Sequence, residues 1–205
     1  MNQAGGRRFH LVLLSCLAAV FVWSAVHPHD YFTWFLEVLP AIIGTSVLLY
    51  VYPRFRFTLL AYTLMAIFMV ILMVGGHYTY AEVPLGFWVR DALGISRNHF
   101  DRLGHFFQGV TPAIAAREIL LRKSPLKKGG WLFFIVVCIA LAISACYEFM
   151  EWGVSVATGS AADAFLGTQG DVWDTQWDMF LAFNGAIVGQ LVLGKLHDRQ
   201  LKCYL

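Results

Sequence analysis

Residues 57–74 read FTLLAYTLMAIFMVILMV. The run contains no Asp, Glu, Lys or Arg. As a helix its eighteen residues rise about 27 Å, close to the thickness of a hydrocarbon bilayer core. It is apolar on every face, so no layer of soluble protein would leave part of it in water. The stretch therefore predicts a membrane-spanning helix, continuing to about residue 75.

Working outward, four further segments have the same character. Residues 9–26 lack Lys, Arg and carboxylates, and residues 31–51 carry one charge, Glu37. Residues 130–152 are uncharged from Gly130 to Tyr147, and residues 177–196 are uncharged from Met179 to Gly194. A sixth segment, 103–121, includes His105, Gln108, Arg117 and Glu118, but its apolar residues recur at helical spacing. It reads as a spanning helix turned toward the bundle interior, the alternative being an interfacial or re-entrant piece. The composition agrees: 59% of the 205 residues are hydrophobic and 14% charged, against about 25% charged in soluble domains. The expected fold is one all-α domain, a polytopic bundle of six transmembrane helices over residues 1–205. Two long outer loops, 76–102 and 153–176, complete it.

Charge placement sets the orientation. With six spans and a cytoplasmic N-terminus, the inner pieces hold Arg7, Arg8, Arg54, Arg56, Arg117, Arg122, Lys123, Lys127, Lys128, Lys195, Arg199 and Lys202. Arg90, Arg97 and Arg102 are left outside. That asymmetry is the positive-inside pattern, with both termini cytoplasmic. Arg7-Arg8 and Leu13 to Cys16 loosely resemble signal features, but the apolar run continues ten residues past Cys16, as an uncleaved anchor does. The four cysteines show no CxxC or finger spacing and read as inert thiols. No feature points to nucleic acid.

The acidic residues are segregated the other way. Asp30, Glu82, Asp91, Asp101, Glu148, Glu151, Asp163, Asp171, Asp174 and Asp178 fall in outer loops or at outer helix ends, with His27, His29, His77, His99 and His105. Asp101 and His105 are i,i+4 and share a helix face; Glu148 and Glu151 are i,i+3. Asp171, Asp174 and Asp178 are spaced i, i+3, i+7, which puts them on one face if the last helix already starts there. Carboxylates brought together repel unless protonated or neutralised by a cation. Arg102 could neutralise them, as could a divalent metal ion: Zn or Mn for mixed His and carboxylate donors, Mg or Ca for carboxylates alone. On this reading His77, Asp101, His105, Glu148 and Glu151 are candidate acid/base or ligand groups, and Asp171, Asp174 and Asp178 candidate metal ligands. Glu37 and Asn184, deeper in helices two and six, are binding candidates. The bland alternatives are solvated helix ends, caps and interfacial side chains, with Trp88, Trp152, Trp173 and Trp177 as an aromatic belt. Gly185 and Gly189 form a GxxxG pattern suited to close helix contact.

These residues also carry a resemblance. Gly75 to Tyr80 (GGHYTY), Asp101-Arg102 with His105, Arg117-Glu118, Tyr147-Glu148 with Glu151-Trp152, and Gly167 to Asp178 (GTQGDVWDTQWD) resemble the YjdF-type inner-membrane family. That resemblance implies location and topology but no reaction. The C-terminal half is also distantly similar to VanZ-like membrane proteins of teicoplanin resistance. Asp101-Arg102-Leu103-Gly104-His105, Glu148 to Glu151, Asp178 and Asn184 to Gly189 stand in similar order. Arg102 replaces a Lys, Glu151 replaces a Gln, and the spacing from Asp178 to Asn184 is longer. This likeness points to the cell envelope.

Three functions follow as expectations: a membrane-embedded, metal-dependent enzyme acting on a lipid or lipid-linked envelope substrate; a non-catalytic protein binding a lipid head group, glycopeptide or cation; or a small ion pathway through Glu37, His105 and Asn184. No Ser nucleophile motif, Walker loop or HExxH is present.

Overall fold

The structure is a computed structural model that describes residues 3–159 and 163–204, with the side chains of 3–6, 163 and 164 outside the description. The reading of Asp163 as a loop residue concerns a side chain outside the described residues. The chain is helical, with no strand among the described residues. In order come α1 (Gln3–Ala25), α2 (Tyr31–Val51), α3 (Leu59–Tyr78), a 3-10 turn (Tyr80–Glu82), α4 (Pro84–Leu93), α5 (Phe100–Lys123), α6 (Gly130–Thr158), the short α7 (Asp163–Leu166) and α8 (Asp174–Leu201). Five helices are long and apolar enough to cross a membrane: α1, α2, α3, α6 and α8. Their outward faces carry Leu11, Val22, Ile43, Val47, Phe134, Leu191 and Val192. A belt of that extent in a helical chain suits lipid and not water.

α5 has the length of a span but not the hydropathy, because its polar side chains point inward. Asp101, His105, Gln108, Thr111, Arg117 and Glu118 are all buried. It sits among α3, α6 and α8, packing most extensively on α8. Glycines permit that approach. A Cβ at Gly109 would run into the Ala182 carbonyl oxygen, and one at Gly185 into the Phe106 carbonyl oxygen. Thus Gly185 of the GxxxG pattern does face a helix backbone. Gly109 lies one turn after His105, and Ala182 one turn after Asp178, so this seam also sets how far apart those two side chains stand.

Element boundaries correct the sequence reading in three places. The outer segment 76–102 is not one irregular loop: Pro84 starts α4, and Gly94, at φ 64°, stops it. α6 runs to Thr158, two turns into the segment read as loop 153–176. α8 begins at Asp174, so Asp174 and Asp178 share a helix face while Asp171 lies in the preceding turn.

The two ends of the bundle differ in chemistry. At the end formed by the starts of α3 and α6 and the finish of α5 and α8, Glu118 is fully buried and saturated. Thr58 donates to it from N–H (3.0 and 3.1 Å) and Oγ1 (2.8 Å), His197 from Nε2 (3.1 Å) and Arg122 from Nη1 (2.7 Å). Arg117 is buried, donating to His197 Nδ1 at 3.0 Å and to Asp198 at 2.7 Å. Every charge in this network has a partner, so it is a structural clamp joining α3, α5 and α8.

Candidate functional site

The opposite end gathers the acidic residues, and its geometry begins with a loop. Gly167, Gln169 and Gly170 take positive φ (59°, 48° and 81°). The loop they make wraps around Arg97, which donates to the Thr168 carbonyl at 2.8 Å and the Gly167 carbonyl at 3.4 Å. Gln169 clamps the neighbouring backbone, accepting from Asn98 N–H (3.1 Å) and donating to Asn98 O (2.9 Å). So pinned, the loop delivers Asp171 and Asp174 to the guanidiniums. Arg97 lies 2.5 Å from Asp174, 3.6 Å from Asp171 and 3.8 Å from Asp101, and Arg102 lies 2.9 Å from Asp171. His99 accepts from Arg102 at 3.1 Å. Burial, and then the Arg102 charge, push His99 below its usual pKa, which keeps it a neutral acceptor.

Beneath this ionic lid is a second group without cations. His105 Nε2 lies 3.4 Å from Asp101 and 3.9 Å from Asp178, and its Nδ1 lies 3.8 Å from Glu148. Asp101, His105 and Asp178 each offer one donor atom within 4.8 Å of the others. Gln108, one turn along α5, accepts a hydrogen bond from His105 Nδ1 at 2.8 Å. That bond leaves the Nε2 lone pair of the neutral ring aimed at two carboxylates, a repulsive arrangement unless a cation or a second proton intervenes. Asp178 is 3% exposed and Glu148 5%, yet Asp178 Oδ1 and Glu148 Oε1 have no hydrogen-bond partner among the described residues. Buried carboxylate oxygens are seldom left so, since each costs about 1–3 kcal/mol. Bonds of ~2.0–2.2 Å to a tetrahedral or octahedral ion would put neighbouring donors roughly 3.0–3.5 Å apart, so His105 and Asp101 already stand at that spacing, while Asp178 would have to move closer to both.

Two of the trio, Asp101 and His105, also line a cavity of about 130 Å³. Its polar wall is Glu37, Asp101, His105, Gln108, Tyr147 and Glu151; its other wall is Phe68, Leu72, Pro112 and Ile143. Glu37, buried in the second turn of α2, accepts from Tyr147 Oη at 3.3 Å. Tyr80 caps the cavity, its ring lying against Gly75 and Gly104. The chain reaches that position through Thr79, a β-branched residue at φ 56°, which is strained backbone beside a candidate site.

The structure therefore brings together Asp101, His105, Glu148 and Asp178, with Glu37 and Glu151 lining a cavity shared with Asp101 and His105, and Arg102, Asp171 and Asp174 in the lid. Of the expected metal ligands, Asp171 and Asp174 are engaged by arginines and Asp178 is not; the group whose donor atoms lie close enough to hold an ion is Asp101, His105 and Asp178, Asp101 also standing 3.8 Å from Arg97. Two predicted members lie elsewhere. His77 bonds the Ser24 carbonyl at 3.0 Å and stacks on Trp23 at 4.4 Å, tying α3 to α1. Asn184 donates to the Phe180 carbonyl of its own helix at 2.7 Å. Sequence reasoning missed Arg97, the hub of the lid, and Gln108, although Gln108 stands i+3 from His105 on the same face. It also missed Tyr147 as the partner of Glu37.

Residues 9–199 match the family described as predicted membrane protein (DUF2238). The chain is 50% identical over 186 residues to the inner membrane protein YjdF of Escherichia coli (strain K12), covering 91% of this chain and 89% of that protein. No solved structure matches. The chain belongs to the DUF2238 family and is a multi-pass inner-membrane protein.

Proposed function

We propose that this member of the DUF2238 family spans the membrane six times with both termini in the cytoplasm. On this reading its acidic chamber, in the non-cytoplasmic half, holds a divalent cation and acts on a lipid or lipid-linked envelope substrate. The observation that carries the reading is that His105 Nε2 stands 3.4 Å from Asp101 and 3.9 Å from Asp178, while a buried oxygen of Asp178 has no hydrogen-bond partner among the described residues. The positive-inside distribution supports the orientation. The inward polar face of α5, enclosed by α3, α6 and α8, supports its being the sixth span.

Access supports a membrane-resident substrate. α2 packs on α3 and scarcely approaches α5 or α6, so the cavity lies beside a cleft between α2 and α6. Its polar wall meets a head group while Phe68, Leu72 and Ile143 meet a chain. A cation on Asp101, His105 and Asp178 would polarise a phosphoryl or ester oxygen and lower the pKa of bound water. Glu148 and Glu151 are the groups placed to exchange a proton with that water. The envelope likeness noted above points the same way. The ion path through Glu37, His105 and Asn184 is not favoured, because Asn184 turns back onto its own helix.

The test is turnover by detergent-purified protein of phosphatidic acid and of polyprenyl diphosphate, with MnCl₂ or with chelator. Release of phosphate or diacylglycerol that disappears with chelator and with His105→Gln supports the enzyme. Manganese-dependent lipid binding without turnover replaces the enzyme with a binding protein. Neither binding nor turnover overturns both.

A further inference from the structure

A second cavity, of about 250 Å³, lies between α1 and α2, remote from the acidic chamber. Both helices pack on α3 and scarcely touch one another, so α3 forms the floor of a groove that opens sideways. The groove is apolar along most of its length, lined by Leu14, Leu17, Leu48, Met65 and Met69. Water has no hydrogen-bond partners there, whereas hydrocarbon fits.

One end differs. Arg7, His10, Tyr52 and Tyr62 line it. His10 is held by Tyr52 Oη at Nδ1 (3.0 Å) and edge-on to the Tyr52 and Tyr62 rings, at 5.4 and 4.8 Å. With Nδ1 so engaged, the buried Nε2 has no hydrogen-bond partner among the described residues. Arg56 lies over the Tyr52 ring at 5.0 Å, and Arg54 over Tyr50 at 5.0 Å. An oriented, unused ring nitrogen and several guanidiniums thus stand at the mouth of a hydrocarbon slot, at the level where head groups begin.

We infer that this groove is a site for one anionic phospholipid, its acyl chain between α1 and α2 and its phosphate at Arg7 and His10 Nε2. Charge complementarity commits the site to an anionic head group: juxtamembrane basic residues attract anionic lipid by about 1 kcal/mol each, and a zwitterionic head group gains less from them. The lipid would add lateral support to α1, which packs on α3 and meets α2 through single side-chain contacts such as His10–Tyr52.

The experiment is native mass spectrometry of the delipidated full-length protein, titrated separately with phosphatidylglycerol and phosphatidylethanolamine. One phosphatidylglycerol should bind at least five-fold more tightly than phosphatidylethanolamine. Arg7→Gln with His10→Ala should remove that preference. Thr45→Phe, which fills the slot from α2, should weaken both lipids at least five-fold. Unfolding temperature checks that each variant is folded, and the two variants act on different parts of the site. Equal affinity for the two lipids in the wild type, or unchanged phosphatidylglycerol binding in both variants, overturns the inference.

Discussion

Replacing Asp178 by Asn should strengthen the fold without metal and abolish its response to metal. Asp178 is 3% exposed, and its donor oxygen lies within 4.8 Å of that of Asp101. Two unit charges at that separation repel by about 3.5 kcal/mol at an effective dielectric of 20. The wild type can escape part of this by binding a proton, so Asn should recover less, about 1–2 kcal/mol. With Mn²⁺ at a hundred times its dissociation constant the order reverses, because ligand binding adds about 2.7 kcal/mol to the wild type alone. The assay is denaturant unfolding in detergent micelles followed by circular dichroism, in chelator and in MnCl₂. If Asp178→Asn is at least 1 kcal/mol less stable in chelator and gains as much from manganese as the wild type, the reasoning fails. Asp178 would then be an ordinary satisfied side chain.

Three further expectations rest on other parts of the molecule. Glu118→Gln should destabilise by about 3–5 kcal/mol, since it leaves Arg122 and His197 partly uncompensated in the interior; the partly exposed Asp198→Asn should lose no more than about 1 kcal/mol. Equal effects in unfolding experiments would contradict the clamp. Gly109→Ala should lose about 1–3 kcal/mol and weaken metal binding by prising α5 from α8, whereas Gly194→Ala, where a Cβ meets nothing within 4 Å, should be neutral or stabilising. Asp30 caps α2 by accepting from Thr33 N–H at 2.7 Å, and Asp30→Ala should cost about 1 kcal/mol. That bond holds the Asp30 carboxyl below its usual pKa. The folded value being the lower one, its stabilisation is complete above about pH 4 and is lost as pH falls through the folded value. Asp30→Asn should flatten this part of the stability profile.

The helices were legible in the sequence wherever lipid acts as solvent. Residues 57–74, 9–26 and 130–147 announce themselves because hydrocarbon tolerates no unpaired charge. α5 was legible only through its periodicity, since its polar residues face inward and cancel its hydropathy. Within the site, Asp101 with His105 and Glu148 with Glu151 follow from helical spacing, a local rule. Asp178 meeting His105 depends on the Gly109–Gly185 seam, which GxxxG spacing hints at without naming the facing helix. The arginine partners of Asp171 and Asp174 were not legible because Arg97 is non-local: it reaches them through a loop whose positive-φ residues no hydropathy pattern reveals. His77 was misplaced for a related reason. Helix three carries it to the right depth but rotates it toward Trp23 and α1.

The metal-dependent reading requires side chains from α5 and α8 to share one cation. The most direct measurement is an anomalous-scattering map of the protein bound to Mn²⁺. One strong peak is expected about 2.2 Å from Asp101, His105 Nε2 and Asp178. Manganese seen only at exposed carboxylates such as Asp91, with Asp178 Oδ1 still facing an empty gap, would contradict it.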